Sequence, residues 1–160
     1  MPFLKPQGTG RKEDISLESA AGHVLEECRM VLPGVQALFG FQLIAVFNQG
    51  FAERLSHPEQ VLHLIAIALT VLSMALVMTP AALHRQAEPR EVSERFIWIG
   101  SNLVLAGMLP LALAIGIDAY IVSSLIIRND TVAIAIGAAV VTVFAALWFF
   151  LPRREARKHA

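Results

Sequence analysis

Cysteine is nearly missing from this chain. Cys28 stands alone, which excludes an intrachain disulfide, and no Cys/His spacing reads as a zinc site. Charge is scarce as well, at 16% of residues, and neither sign prevails: 13 Lys and Arg face 13 Asp and Glu. No basic excess therefore points to nucleic acid. No nucleotide-binding loop, metal motif or nucleophile–base pair appears, so the sequence implies neither an enzyme nor a cofactor. No apolar segment alternates with period two, and the apolar runs are far longer than strands, which argues against a barrel. There is no repeat, and no low-complexity tract beyond a polar N-terminus.

What is present is apolar, in blocks. Hydrophobic residues make up 56% of the 160 and the mean hydropathy is +0.60, the composition of a membrane protein. About 20 apolar residues cross a bilayer as a helix, and four segments qualify, near 30–50, 60–83, 97–122 and 131–151. About thirty mostly polar residues, with Glu18, Glu26 and Glu27, precede the first run. That is no secretory signal, so the first span is expected to stay uncleaved. The chain divides into a polar segment at 1–28, with 1–13 expected to be mobile and the rest ending in a juxtamembrane helix, a transmembrane domain at 29–151 and a basic tail at 152–160.

Charge sets direction. Eleven of the 13 Lys and Arg lie in the N-terminal segment, the 84–96 loop and the tail; only Arg54 and Arg128 lie in the other two loops. By the positive-inside rule both termini are cytoplasmic. The expected fold is an all-α integral membrane protein, an up-down antiparallel bundle of four transmembrane helices. Trp98, Tyr120 and Trp148 fall near the expected interfaces. Ser56 and Glu59 form a capping box before span 2, with Pro58 in its first turn. Glu88, Pro89 and Glu91 start the approach to span 3, with Glu91–Arg95 an i,i+4 pair. Pro152 and the basic tail close span 4, and Pro33, Pro80 and Pro110 are candidate kinks.

Small residues carry packing between helices in lipid. Span 4 offers Ala135, Ala138, Ala139, Thr142 and Ala146 along one face. Span 3 repeats Gly100, Gly107 and Ala114 every seven residues, the period of a left-handed crossing. Span 2 has Ala66, Thr70 and Ser73, and span 1 has Gly34 and Gly40.

Polar residues inside the spans are the functional candidates. Gln36, Gln42 and Asn48 recur every six residues, so successive amides are turned by about 120° and line no single face. They suit hydrogen bonds to neighbouring helices better than a pore. Asn102 adds an amide in span 3. Asp118 has two readings: a solvated carboxylate at the outer interface, twenty-one residues after Ile97, or an intramembrane proton relay. Glu53, His57, Glu59 and His63 gather on the outer side, where Glu59 and His63 could share a face and take a metal or sense pH. At the cytoplasmic ends, antiparallel neighbours bring Glu26, Glu27 and Arg29 towards His84 and Arg85. Such a cluster gates, transfers protons or clasps two helix ends.

Two stretches carry a resemblance. Glu27-x-Arg29, Gly34-x-Gln36 and Leu38-Phe39-Gly40-Phe41, followed by Pro80-Ala81-Ala82-Leu83-His84-Arg85, resemble a small bacterial four-helix membrane family of unknown function. One departure is Val46 before Phe47, where the family is expected to have proline. The resemblance covers about half of the chain and implies a bacterial inner-membrane protein. Some relatives bear a sodium:proton antiporter label. It draws attention to the cytoplasmic-end cluster and the Gln36–Gly40 face. Two functions follow as expectations: a homo-oligomeric channel or transporter for protons or small cations, or an accessory subunit or scaffold packed on a membrane partner.

Overall fold

The computed structural model describes residues 16–87 and 92–158; the segment at 1–13 and the Glu91–Arg95 pairing lie outside the described residues. Among the described residues there is no strand. The helices are α1 (Leu17–Val46), α2 (Gly50–Arg54), α3 (His57–Ala87), α4 (Glu94–Ile127), α5 (Asp130–Ala145) and α6 (Leu151–Lys158), with a π-helical turn at Ala146–Phe150 joining the last two. Four helices are long and apolar enough to cross a membrane: Leu17–Val46, His57–Ala87, Glu94–Ile127 and Asp130–Glu155. The chain is a multi-pass, all-α membrane protein.

Local chemistry explains each end. Ser16 caps α1 by accepting from Ser19 N–H at 3.3 Å, so the juxtamembrane helix and the first span form one continuous rod. It stops at Val46, where the Asn48 side chain accepts from Gly50 N–H at 3.0 Å and turns the chain into α2. Ahead of α3, the Glu59 carboxylate accepts from Ser56 N–H at 2.8 Å and from its hydroxyl at 2.6 Å, the returning half of a capping box. Ser93 caps α4 through Phe96 N–H at 3.1 Å. Arg128, with φ 54° in the left-handed region, ends α4, and Asn129 caps α5 through Val132 N–H at 3.2 Å.

Pro33, Pro80 and Pro110 lie inside continuous helices. Pro152 does not close the last helix. It has no N–H to donate, and its ring would crowd the carbonyl one turn back. The preceding turn widens to i→i−5, with Leu151 N–H on Ala146 O, and the helix resumes as α6.

Packing follows seven-residue stripes. Ala21, Cys28, Val35 and Gln42 are buried on α1; His63, Ala66, Thr70, Ser73, Val77 and Pro80 on α3; Gly100, Val104, Gly107, Leu111, Ala114 and Ile121 on α4. These alternate steps of three and four keep one face toward a partner, as in left-handed bundles. α4 is central, packing on α3, α5 and α1. A Cβ on Gly107 would lie 3.0 Å from a Val77 methyl and 3.3 Å from Ser73 O, so glycine there lets α3 and α4 approach closely. Outward faces are apolar too: Phe41, Phe47 and Ile126 are 71%, 86% and 75% exposed, as lipid-facing residues are.

Two packing expectations need correction. The small face of Ala135, Ala138, Ala139 and Thr142 on α5, continued by Ala146 in the π-helical turn, points outward; the inward residues of α5 are Ala133 and Gly137. A Cβ on Gly137 would sit 2.9 Å from Gly116 O and 3.0 Å from Tyr120 Cβ, so α5 turns toward α4 the one residue that permits this approach. On α1, Gly34 is exposed, and neither Gly34 nor Gly40 has any neighbour within 4 Å of a Cβ. Neither glycine is a packing contact, because the inward stripe of α1 runs through Val35 and Gln42.

Candidate functional site

The polar residues of three helices meet near the end of the bundle that carries the 47–56 and 128–129 connections. Gln42 comes from α1, four residues before its end; His63 from α3, six residues after its start; Asp118 from α4, nine residues before its end. Each is placed by its stripe. Asp118 continues the run Val104, Leu111 at seven-residue spacing, His63 leads the Thr70, Val77 row, and Gln42 follows Val35. At 1.5 Å per residue, Asp118 lies about 13 Å from the end of its helix. It is inside the bundle, with its side chain 21% exposed, against 8% for His63.

The geometry is closed on three sides. Gln42 Nε2 donates to Asp118 Oδ2 at 2.8 Å. His63 Nε2 lies 3.0 Å from the backbone carbonyl of Gln42. A carbonyl oxygen only accepts, so Nε2 carries a proton and donates it. His63 Nδ1 then faces Asp118 Oδ1 at 3.5 Å. Those two atoms attract only when a proton sits on one of them. A lone ionised carboxylate among apolar helices is costly; here the Gln42 amide N–H meets one of its oxygens. The Phe51 ring leans on His63, with centroids 5.3 Å apart. Gln42 Oε1 is buried and has no partner.

A cavity of about 450 Å³ opens beside this group. Apolar side chains such as Leu38, Phe41 and Ile121 line most of it, with Gln42, His63 and Asp118 in its wall and Asn48 and Arg54 on the connecting segment. Deeper in the bundle Val35, Thr70, Ser73 and Val77 are almost fully buried, and Ser73 Oγ has no partner. Nearer the connection, Ser124 Oγ lies 3.0 Å from Glu59 Oε1 and 2.9 Å from Ile121 O, its one proton serving either.

The other sequence candidates are placed elsewhere. Gln36 is exposed on the outer face of α1, Asn48 sits in the turn after it, and Asn102 is exposed and donates to Trp98 O of its own helix at 2.7 Å. Of the span 1 amides, only Gln42 bonds another helix. Glu59 and His63 do not act together: Glu59 binds Ser56 and Ser124, His63 binds Asp118 and Gln42. Glu53 and His57 are exposed.

The pairing of Glu26 or Glu27 with His84 or Arg85 also needs correction. Among the described residues no ion pair joins them; both glutamates are exposed. Cys28 is the inward position on that turn, and 100° per residue carries Glu27 and Glu26 away from α3. Arg29, His84 and Arg85 do share a second cavity, of about 480 Å³. His63, grouped by sequence with Glu59 on the outer side, instead belongs with Asp118 and Gln42. The signal was available: His63 is in phase with Ala66, Thr70 and Ser73.

Comparison with curated proteins and with solved structures finds no match. The family model that does match spans residues 15–152, across all four long helices. The chain belongs to DUF6328, a family of unknown function.

Proposed function

We propose that this is a non-enzymatic membrane protein that moves protons or small cations, with Asp118 and His63 as the groups that take up and release the proton. The observation that carries the reading is the Gln42–His63–Asp118 group, held inside the bundle on the wall of a cavity. Ionisable residues buried among membrane helices mark ion and proton pathways. The buried row from Val35 to Val77 closes the way to the other end. Passage then needs a second arrangement of the helices or assembly of several subunits, and we favour a homo-oligomer in a bacterial inner membrane. On the distribution of Lys and Arg the termini are cytoplasmic, so the cavity faces the opposite side.

The test is proton flux in liposomes holding the purified protein, driven by a potassium diffusion potential and read with an enclosed pH dye. Asp118→Asn is expected to lower the flux about tenfold or more, the scale of losing a proton-transfer group. Asp130→Asn, exposed at the start of α5, should leave it unchanged. Parent protein no faster than protein-free liposomes, or an undiminished Asp118→Asn, would end the proposal. The outward face of α5, with Ala135, Ala139 and Thr142 exposed, supports a second reading. Small residues permit close helix approach, and a membrane partner seated there would make the chain an accessory subunit.

A further inference from the structure

We propose that the crevice between α1 and α3, at the end of the bundle where α1 begins and α3 ends, binds the phosphate of an anionic phospholipid. Three residues of its wall are basic: Arg29 from α1, His84 and Arg85 from α3. Among the described residues no carboxylate lines it and neither arginine has an ion-pair partner. His84 is held against the Phe96 ring, 5.4 Å between centroids, and its Nδ1 is buried without a hydrogen-bond partner. Two guanidiniums around one space repel one another unless an anion with several oxygens lies between them. The guanidinium fork matches phosphate in particular.

The rest of the crevice selects a lipid. From Arg85 its wall descends along Ala81, Met78 and Val77 on α3 and along Leu32 on α1. Eight residues separate Val77 from Arg85, about 12 Å or two helical turns. A charged mouth above an apolar trough of that depth fits a phosphate ester that carries hydrocarbon chains. A zwitterionic headgroup brings its own cation and leaves the basic groups less well neutralised. Basic pockets between membrane helices bind anionic headgroups for these reasons. The site stands apart from the Asp118 cavity and does not depend on any transport activity.

The experiment is native mass spectrometry of the full-length protein released from nanodiscs containing equal phosphatidylglycerol and phosphatidylcholine. The parent is expected to retain phosphatidylglycerol with a preference of about thirtyfold, the scale of two arginines at a lipid surface. Arg29→Gln combined with Arg85→Gln should bring that preference near unity. Arg153→Gln combined with Arg154→Gln, an equal loss of charge on the tail, should leave it intact. Equal retention of the two lipids by the parent needs no variant and would overturn the site. So would a preference that survives the Arg29/Arg85 double substitution. In a separate arm, inorganic phosphate that binds the parent in phosphatidylcholine nanodiscs and stays bound when phosphatidylglycerol is added would assign the crevice to the free anion and refute the lipid.

Discussion

The bond from Gln42 to Asp118 is the most exacting point of the structure, because it ties α1 to α4 across 76 residues of sequence. Gln42→Leu keeps a similar volume but removes the N–H that meets Oδ2 at 2.8 Å, leaving Asp118 with His63 at 3.5 Å. Interhelical hydrogen bonds in membranes are worth about 0.6–2 kcal/mol, and bonds to charged groups about 1.5–3 kcal/mol. Gln42 Oε1 has no partner to lose, so the whole cost comes from the donor, and about 2 kcal/mol is expected. Asp118→Ala breaks the same bond from the other side and should cost a similar amount. The double variant should be little worse than either single one, a coupling of about 1–2 kcal/mol. The assay is reversible unfolding in mixed micelles, followed by far-UV circular dichroism at constant pH. Gln36→Leu is the control: it lies on the same helix, is exposed, and should shift stability by less than about 0.5 kcal/mol. Losses at 42 and 118 that add to within about 0.5 kcal/mol would show that the two residues do not meet, and the site would dissolve with them.

Other expectations follow from packing and charge. Gly137→Leu should force α5 from α4 and cost about 1–3 kcal/mol by overpacking, whereas Ala139→Leu, exposed, should leave the melting temperature of the isolated subunit alone and alter only assembly; equal effects would reverse the assigned face of α5. Glu27→Gln and Arg85→Gln should be additive in thermal stability within about 0.5 kcal/mol, since no ion pair joins them; a coupling beyond that would restore the clasp. A reporter fused after Ala160 should be active only in its cytoplasmic form, given eleven basic residues at that end; periplasmic activity would invert the topology.

What the sequence determined by itself was mostly local, Pro152 excepted. Four spans, the Ser56–Glu59 cap and the seven-residue repeat of Gly100, Gly107 and Ala114 are set by runs of hydropathy and by contacts within a turn or two, and each is found in place. The tertiary structure decided which way α5 faces and which polar groups meet. In a water-soluble helix the apolar stripe announces the buried side. In lipid the surroundings are as apolar as the core, and that contrast disappears. The outward stripe around Ala139 therefore reads as well as the inward one through Ala133 and Gly137. The same loss hid the site. Gln42, His63 and Asp118 each belong to a buried stripe, but their meeting depends on the relative depth and rotation of three helices, which the close approach of α3 and α4 at Gly107 helps to fix. Glu27 and Arg85 fail to meet for the same reason: charge and depth matched them, and the rotation of α1 that buries Cys28 turned the carboxylate away.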